Sequence, residues 1–287
     1  MTQRATAEEQ PVLRPGGARR DGANRSTNPL DYQQVPRPVA AMAKEFADGN
    51  HITPHRHERA QLIFAARGVM TISTAQGAWV VPPQRALWMP AGTVHEIRMA
   101  GPVSMRTLYV RADAELGRLP AAIRVIAVSP LLRELILRAC ALPLLYDERG
   151  AAGHVMALIL DEIAALPSLA LDLPMPTDAR LLGLCQRLQA EPGDARTLDD
   201  WAREAGASAR TLARLFHKET GLNFADWRQQ ARLLAAMARL AEGQPITRIA
   251  LDLGYDSPSA FAAMFKRALG TPPSRYFDAD HHVVTAD

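Results

Sequence analysis

Two sets of side chains in this sequence have types and spacings that could do chemistry. The first begins with His55 and His57. Residues two apart on a strand face the same way, and Gln61 shares their parity. His95 follows later, closing the run PAGTVH. Arg56, Glu58 and Arg59 have the opposite parity or flank this stretch and read as solvated surface charges. The second set is cationic and sits in a helical pattern. Leu212, Leu215 and Phe216 recur at helical spacing and claim the packed face. That leaves Arg210, Ala213, Arg214, His217 and, at the margin, Thr211 on the free face. An arginine so placed can donate two hydrogen bonds to one guanine edge.

The elements that must position the histidines read as strands. QLIFAA (Gln61 to Ala66) and VMTIST (Val69 to Thr74) flank Arg67-Gly68, a hairpin-like signal, and Gln76-Gly77 precedes AWVV. Pro82-Pro83, Pro90-Ala91-Gly92 and Gly101-Pro102 break up the rest, and VSMRTLYV (Val103 to Val110) closes the set. Short strands punctuated in this way predict a small barrel or sandwich. From 119 to 168 the pattern turns helical, with Val155, Ile159, Ile163 and Leu166 on one face. That stripe predicts a helix that covers the barrel, pairs subunits, or does both. LALDLPMP (169–176), rich in Leu and Pro, reads as an interdomain linker.

The elements that position the arginines occur twice. TLDDWAREAGASARTLARLFHKETG (Thr197 to Gly221) and ITRIALDLGYDSPSAFAAMFKRALG (Ile246 to Gly270) each combine a short helix, a turn carrying Gly206 or Gly254, and a second helix. This is the helix-turn-helix arrangement, whose second helix enters the DNA major groove. In the second copy Phe261, Met264 and Phe265 pack, leaving Ser259, Ala262, Ala263 and Lys266 free. Lys218, Arg248, Arg267 and Arg275 are candidate phosphate contacts. FADWRQQARLLAAMARLAEG (Phe224 to Gly243) is a continuous helical spacer of ~30 Å at 1.5 Å per residue. That length suits two helices reading grooves ~34 Å apart.

These features resemble the AraC/XylS transcriptional regulators. The matching motifs are L-x-x-L-F-x-K-E-T-G (Leu212 to Gly221), I-A-x-x-x-G-Y-x-S-x-S-x-F-x-x-x-F-K (Ile249 to Lys266) and the tail G-T-P-P-S-R-Y (Gly270 to Tyr276). The histidine region resembles the cupin family. Gly49, His55, His57, Gln61 and Gly68 fall on the spacing of its first motif, with Gln61 where the family has glutamate. Pro90, Gly92 and His95 fall on its second, with Gln84 replacing a glycine and Met99 an asparagine.

The resemblance implies an α+β two-domain protein, with a cupin-like β-barrel under covering helices and an all-α double helix-turn-helix domain. It divides the chain into a disordered tail (1–37), a sensor barrel (38–118), a helical covering or dimerisation segment (119–168), a linker (169–176), a DNA-binding domain (177–277) and a short tail (278–287). It places His55, His57, Gln61 and His95 around a divalent transition metal (Zn, Ni, Fe or Cu) or an organic effector. It further implies promoter DNA, a small-molecule or metal effector, a homodimer, and RNA polymerase if the protein activates. A metal-dependent cupin enzyme is the alternative. The doubled helix-turn-helix, which an enzyme would not need, and the missing glutamate both weigh against it.

Composition agrees with a cytoplasmic, two-domain chain. The 287 residues are 48% hydrophobic and 22% charged, enough to bury cores. A formal charge of +3 permits nucleic-acid binding without indicating it. Two cysteines, Cys140 and Cys185, lack metal or disulfide spacing. No apolar run reaches the ~20 residues of a membrane helix, and the arginines near the N-terminus precede no hydrophobic signal region.

Overall fold

A computed structural model describes residues 26–113, 119–166, 168–169 and 172–276. Its first part is an antiparallel sheet curled into a barrel. The strands are β1 (Val39–Phe46), β2 (His51–His55), β3 (Ala60–Thr74), β4 (Gly77–Val81), β5 (Arg85–Met89), β6 (His95–Val110), β7 (Arg124–Ala127), β8 (Ser168–Leu169) and β9 (Asp172–Pro174). The order β1-β6-β3-β5-β7-β8 forms the main path; β2 joins β6, and β4 joins β3 and β9.

β3 and β6 are long strands that each serve both ends of the barrel. The expected hairpin at Arg67-Gly68 is instead a bulge within β3, where the register against β6 shifts on either side of Arg67. Gly68 has φ 78°, and a Cβ there would lie 2.8 Å from the Val103 side chain. Only glycine allows so close an approach, so the strand bends without ending. Gly101-Pro102 likewise lies inside β6 rather than ending a strand.

Strand alternation divides the apolar side chains. Leu62, Phe64, Trp88, Leu108 and Ile126 face a helical layer, whereas Ile63, Leu87, Met105 and Tyr109 face the opposite way. The layer is α1 (Pro130–Ala141) and α2 (Ala151–Ala165). Ser129 caps α1, its side chain accepting from the Leu132 amide. Ile159 and Ile163 are fully buried against this layer and the sheet. The stripe read as a possible pairing surface is therefore used up within the chain. Exposed leucines lie elsewhere, at Leu131, Leu145 and Leu158. Ile159→Ala is expected to cost ~2–5 kcal/mol in denaturant unfolding, as cavity-forming core substitutions do, with no change in sedimentation mass.

Two further expectations need correction. Residues 26–37, assigned to a disordered tail, are ordered: a 3-10 turn spans Pro29–Tyr32, and Tyr32 is fully buried. Arg59, taken as a surface charge, is buried and holds that segment. Its guanidinium donates to the carbonyls of Gln33 (2.7 Å), Arg37 (3.0 Å) and Val35. A guanidinium can sit there because its fork of N–H donors meets carbonyls the segment would otherwise leave unsatisfied. The linker 169–176 is itself tied to the barrel, because β9 pairs with β4 (Ala78 opposite Leu173). Residues 1–25 and 278–287, read as tails, lie outside the described residues.

The second part is helical: α3 (Ala179–Ala190), α4 (Leu198–Glu204), α5 (Ala209–Thr220), α6 (Phe224–Ala241), α7 (Ile246–Asp252) and α8 (Pro258–Leu269). Each reading helix is started by a serine. Ser208 accepts from the Thr211 amide and Ser257 from the Ala260 amide. Thr197 and Asp200 form a reciprocal capping box on α4. Leu212, Phe216, Trp227, Met237, Ile249, Phe261 and Phe265 make a core continuous with one face of the barrel.

Candidate functional site

The histidines converge, though not by the route that strand parity suggested. His55 ends β2, His57 lies in the following loop, and Gln61 is the second residue of a different strand, β3. Convergence comes from pairing: His55 sits opposite His95 in the β2–β6 register. The Gly92 amide donates to the His57 carbonyl at 2.8 Å, drawing that loop onto the Pro90–Gly92 turn. The ring centroids of His55 and His95 lie 4.4 Å apart, those of His55 and His57 4.9 Å, and those of His57 and His95 5.6 Å. One ligating nitrogen from each ring lies within 4.8 Å of the others. Tyr109 stands edge-on to His57 at 5.1 Å.

Hydrogen bonds set the tautomers of two of the rings. His55 Nδ1 lies 2.8 Å from the Thr53 carbonyl, and His95 Nδ1 lies 2.9 Å from the Thr93 carbonyl. A carbonyl only accepts, so Nδ1 carries the proton and Nε2 of the neutral ring presents a lone pair. Burial, followed by the charges of His55 and His95, pushes His57 down to about 3. Burial brings His95 to about 4 and also lowers His55. His57 and His95 are therefore neutral at pH 7, as metal ligands must be. His95 Nε2 is buried with no partner. Gln61 donates through Nε2 to Thr107 at 2.9 Å, while its Oε1 is buried and unpartnered.

This donor set fits a divalent transition metal. A tetrahedral ion with bonds of ~2.0–2.1 Å sets its nitrogens roughly 3.3 Å apart, which small side-chain rotations would reach. Bonding each remaining ring N–H to a backbone carbonyl is the outer-shell arrangement that orients ligating histidines. A cavity of about 590 Å³ opens beside the cluster, with His95 in its wall and Ser73, Gln76, Thr93 and Glu96 among its polar lining.

In the helical domain the expected faces are as predicted by spacing. Arg210, Ala213, Arg214, His217 and Lys218 are exposed on α5, with Thr211 half-buried and bonded to Ser208 at 2.9 Å. On α8, Ser259, Ala263 and Lys266 are exposed and Ala262 is half-buried. The arginines divide by partner. Arg180, Arg187, Arg196 and Arg203 are paired with carboxylates of their own domain. Arg210 and Arg214 make no ion pair among the described residues, which leaves them free for a ligand. Sequence reading did not find the stacking of Arg196 on Trp201, at 3.6 Å, since no local pattern marks it.

A barrel with a polar cavity, joined to paired reading helices, is the architecture of a DNA-binding regulator with a ligand-binding domain. Residues 40–199 match the family described as AraC-like ligand binding domain, and residues 201–279 match a helix-turn-helix domain. The HTH-type transcriptional regulator NimR of Escherichia coli (strain K12) is 34% identical over 222 residues, covering 77% of this chain and 81% of that protein. Regulatory protein SoxS of the same organism is 38% identical over 80 residues, covering 28% of this chain and 75% of that one. A solved structure of ToxT from Vibrio cholerae O395 covers 86% of this chain and 99% of its own, at 10% identity and a TM-score of 0.37. The chain belongs to the AraC family of transcriptional regulators. It is a DNA-binding regulator with a ligand-binding domain, and the enzyme alternative finds no support in these matches.

Proposed function

We propose that the barrel senses a divalent transition metal, or a small ligand that reaches such a metal through the adjoining cavity, and that this state controls promoter binding. The observation that carries the reading is the meeting of His55, His57 and His95, with the two Nε2 lone pairs of His55 and His95 left open by Thr53 and Thr93. Gln61 Oε1 is the candidate fourth donor. Three imidazoles and an amide are all neutral, so a bound ion keeps its full charge. That favours anionic or electron-rich effectors over the activated-water chemistry of hydrolytic sites.

A physical route to the DNA-binding domain supports the same reading. Gln76, in the cavity wall, accepts at its carbonyl from the Met175 amide (3.2 Å). The neighbouring Pro174 carbonyl accepts from Trp227 Nε1 on α6 (2.8 Å). Moving the β3–β4 turn thus pulls on the helix between the two reading heads. Trp227→Phe removes that hydrogen bond while keeping most of the apolar bulk. Effector-dependent changes in DNA affinity are expected to shrink, with effector binding itself unchanged. Equal responses from both proteins would eliminate this route.

The remaining assignments belong to the same proposal: a cytoplasmic homodimer, meeting RNA polymerase if it activates. No helix among the described residues is long and apolar enough to cross a membrane. The exposed Leu131, Leu145 and Leu158 on the helical layer supply apolar surface for pairing. The test of the whole is elemental analysis of purified protein, combined with footprinting on its own upstream region before and after chelation. A metal-free protein whose footprint ignores both chelator and added metal would defeat the sensor reading.

A further inference from the structure

Three arginines of α6 lie along one side of that helix. At 3.6 residues per turn, positions 228, 232 and 239 fall within an arc of ~40°. Each reaches a different part of the two helix-turn-helix units or of the chain leading into them. Arg228 Nη1 donates to the Arg196 carbonyl, just before the first unit, at 3.2 Å. Arg232 Nε donates to the Pro192 carbonyl, in the α3–α4 connection that leads into the first unit, at 2.9 Å, and its guanidinium lies over the ring of Tyr255 of the second at 5.5 Å. Arg239 faces Asp252 of the second unit at 3.6 Å.

Beside Arg232 the two units touch backbone to backbone. A side chain on Gly193, between α3 and α4, would collide with the Asp252 carbonyl at the end of α7. A Cβ on Gly254, in the turn before α8, would lie 2.8 Å from the Gly193 carbonyl. Gly254 has φ 72°, so it is glycine for its conformation, whereas Gly193 does not have a positive φ. What Gly193 supplies is the absence of a side chain at a contact between units.

The geometry points to Gly193 and Arg232 as positioning residues that fix the angle between the two reading heads. The inference rests on the two-headed DNA-binding reading of the helical domain. Helix α6, 18 residues and ~27 Å long, sets the distance between the heads. Both units pack on α6, as the Phe216–Trp227 contact at 6.2 Å shows for the first, and the Gly193–Asp252 contact adds a direct tie between them that α6 does not supply. One base-pair step changes the position of a half-site by ~3.4 Å along the axis and by roughly 35° around it. A rigid lateral contact is what allows the protein to distinguish one spacing from the next. The occupant it selects is a duplex with two half-sites at one fixed separation.

In vitro selection from a random duplex library, run on the full-length wild type, Gly193→Ala and Arg232→Ala, tests this whatever the operator sequence. Wild type is expected to enrich two motifs at a single spacing. Both variants are expected to enrich the same two motifs spread over neighbouring spacings. Affinity for the wild-type optimum should fall roughly tenfold, a part of the gain that linking two modules provides, with single half-sites bound as before. Circular dichroism melts identify a variant that has not folded. Arg232→Ala, on the partly exposed edge of the contact, keeps the test alive should Gly193→Ala fail. A folded variant that retains one sharp spacing overturns the proposal, as does one that loses single half-site binding to the same degree. A wild type that enriches no motif overturns the DNA-binding reading itself, which the variants cannot do.

Discussion

His95→Ala is expected to abolish metal binding at the site proposed in the barrel. His95 is the best buried of the three imidazoles, with Nδ1 tied to Thr93 and Nε2 without a protein partner. Removing it would take away one of the three proposed ligands and leave two rings that cannot close a site alone. Even outer-shell changes at such sites cost ~10–100-fold in affinity, so loss of the ligand itself should exceed ~100-fold. Competition with a chromophoric chelator measures this on the full-length protein. Thermal stability of the metal-free form should change far less, because the deleted ring packs against other polar groups rather than filling an apolar core. Ser73→Ala, in the cavity wall but outside the cluster, is the control and should retain the metal. Equal metal affinity for wild type and His95→Ala would remove the site from consideration and leave the cavity as a purely organic pocket.

The second large effect is expected at the DNA interface and is unequal between the heads. The first head presents Arg210 and Arg214, exposed and without internal ion pairs among the described residues. The second presents Ser259, Ala262 and Ala263, which offer methyl contact to thymine or sense duplex shape. A good bidentate arginine–guanine contact discriminates by ~1–3 kcal/mol. Arg214→Ala should therefore lower affinity for the preferred site by roughly 5–150-fold and erase preference at one guanine in the first half-site. Lys266→Ala should weaken binding to all sequences alike and reduce the slope of log affinity against log salt by ~0.9, as loss of one phosphate contact does. Selection experiments and salt titrations on both variants measure these outcomes. Sharper base preference under α8 than under α5 would reverse the assignment of the heads.

The reading faces and the histidine set were legible in the sequence because each follows from local spacing. Leu212, Leu215 and Phe216 bury one side of α5 wherever the helix sits, so Arg210 and Arg214 must lie on the other. The cupin-type spacing likewise named His55, His57, Gln61 and His95. What brought the rings together was not strand parity, since the loop at 56–59 breaks the strand before Gln61. It was the register of β2 on β6 and the bond from Gly92 to His57, both long-range pairings. Periodicity also shows only that a face is buried, not what buries it. Ile159 and Ile163 would carry the same pattern facing a second subunit or their own barrel, and the fold decided for the barrel. Arg59 inside the core, β9 on the edge of β4 and Gly193 against Asp252 share one cause. Each depends on backbone groups distant in sequence coming within hydrogen-bonding or van der Waals range, and only the folded chain determines which groups those are.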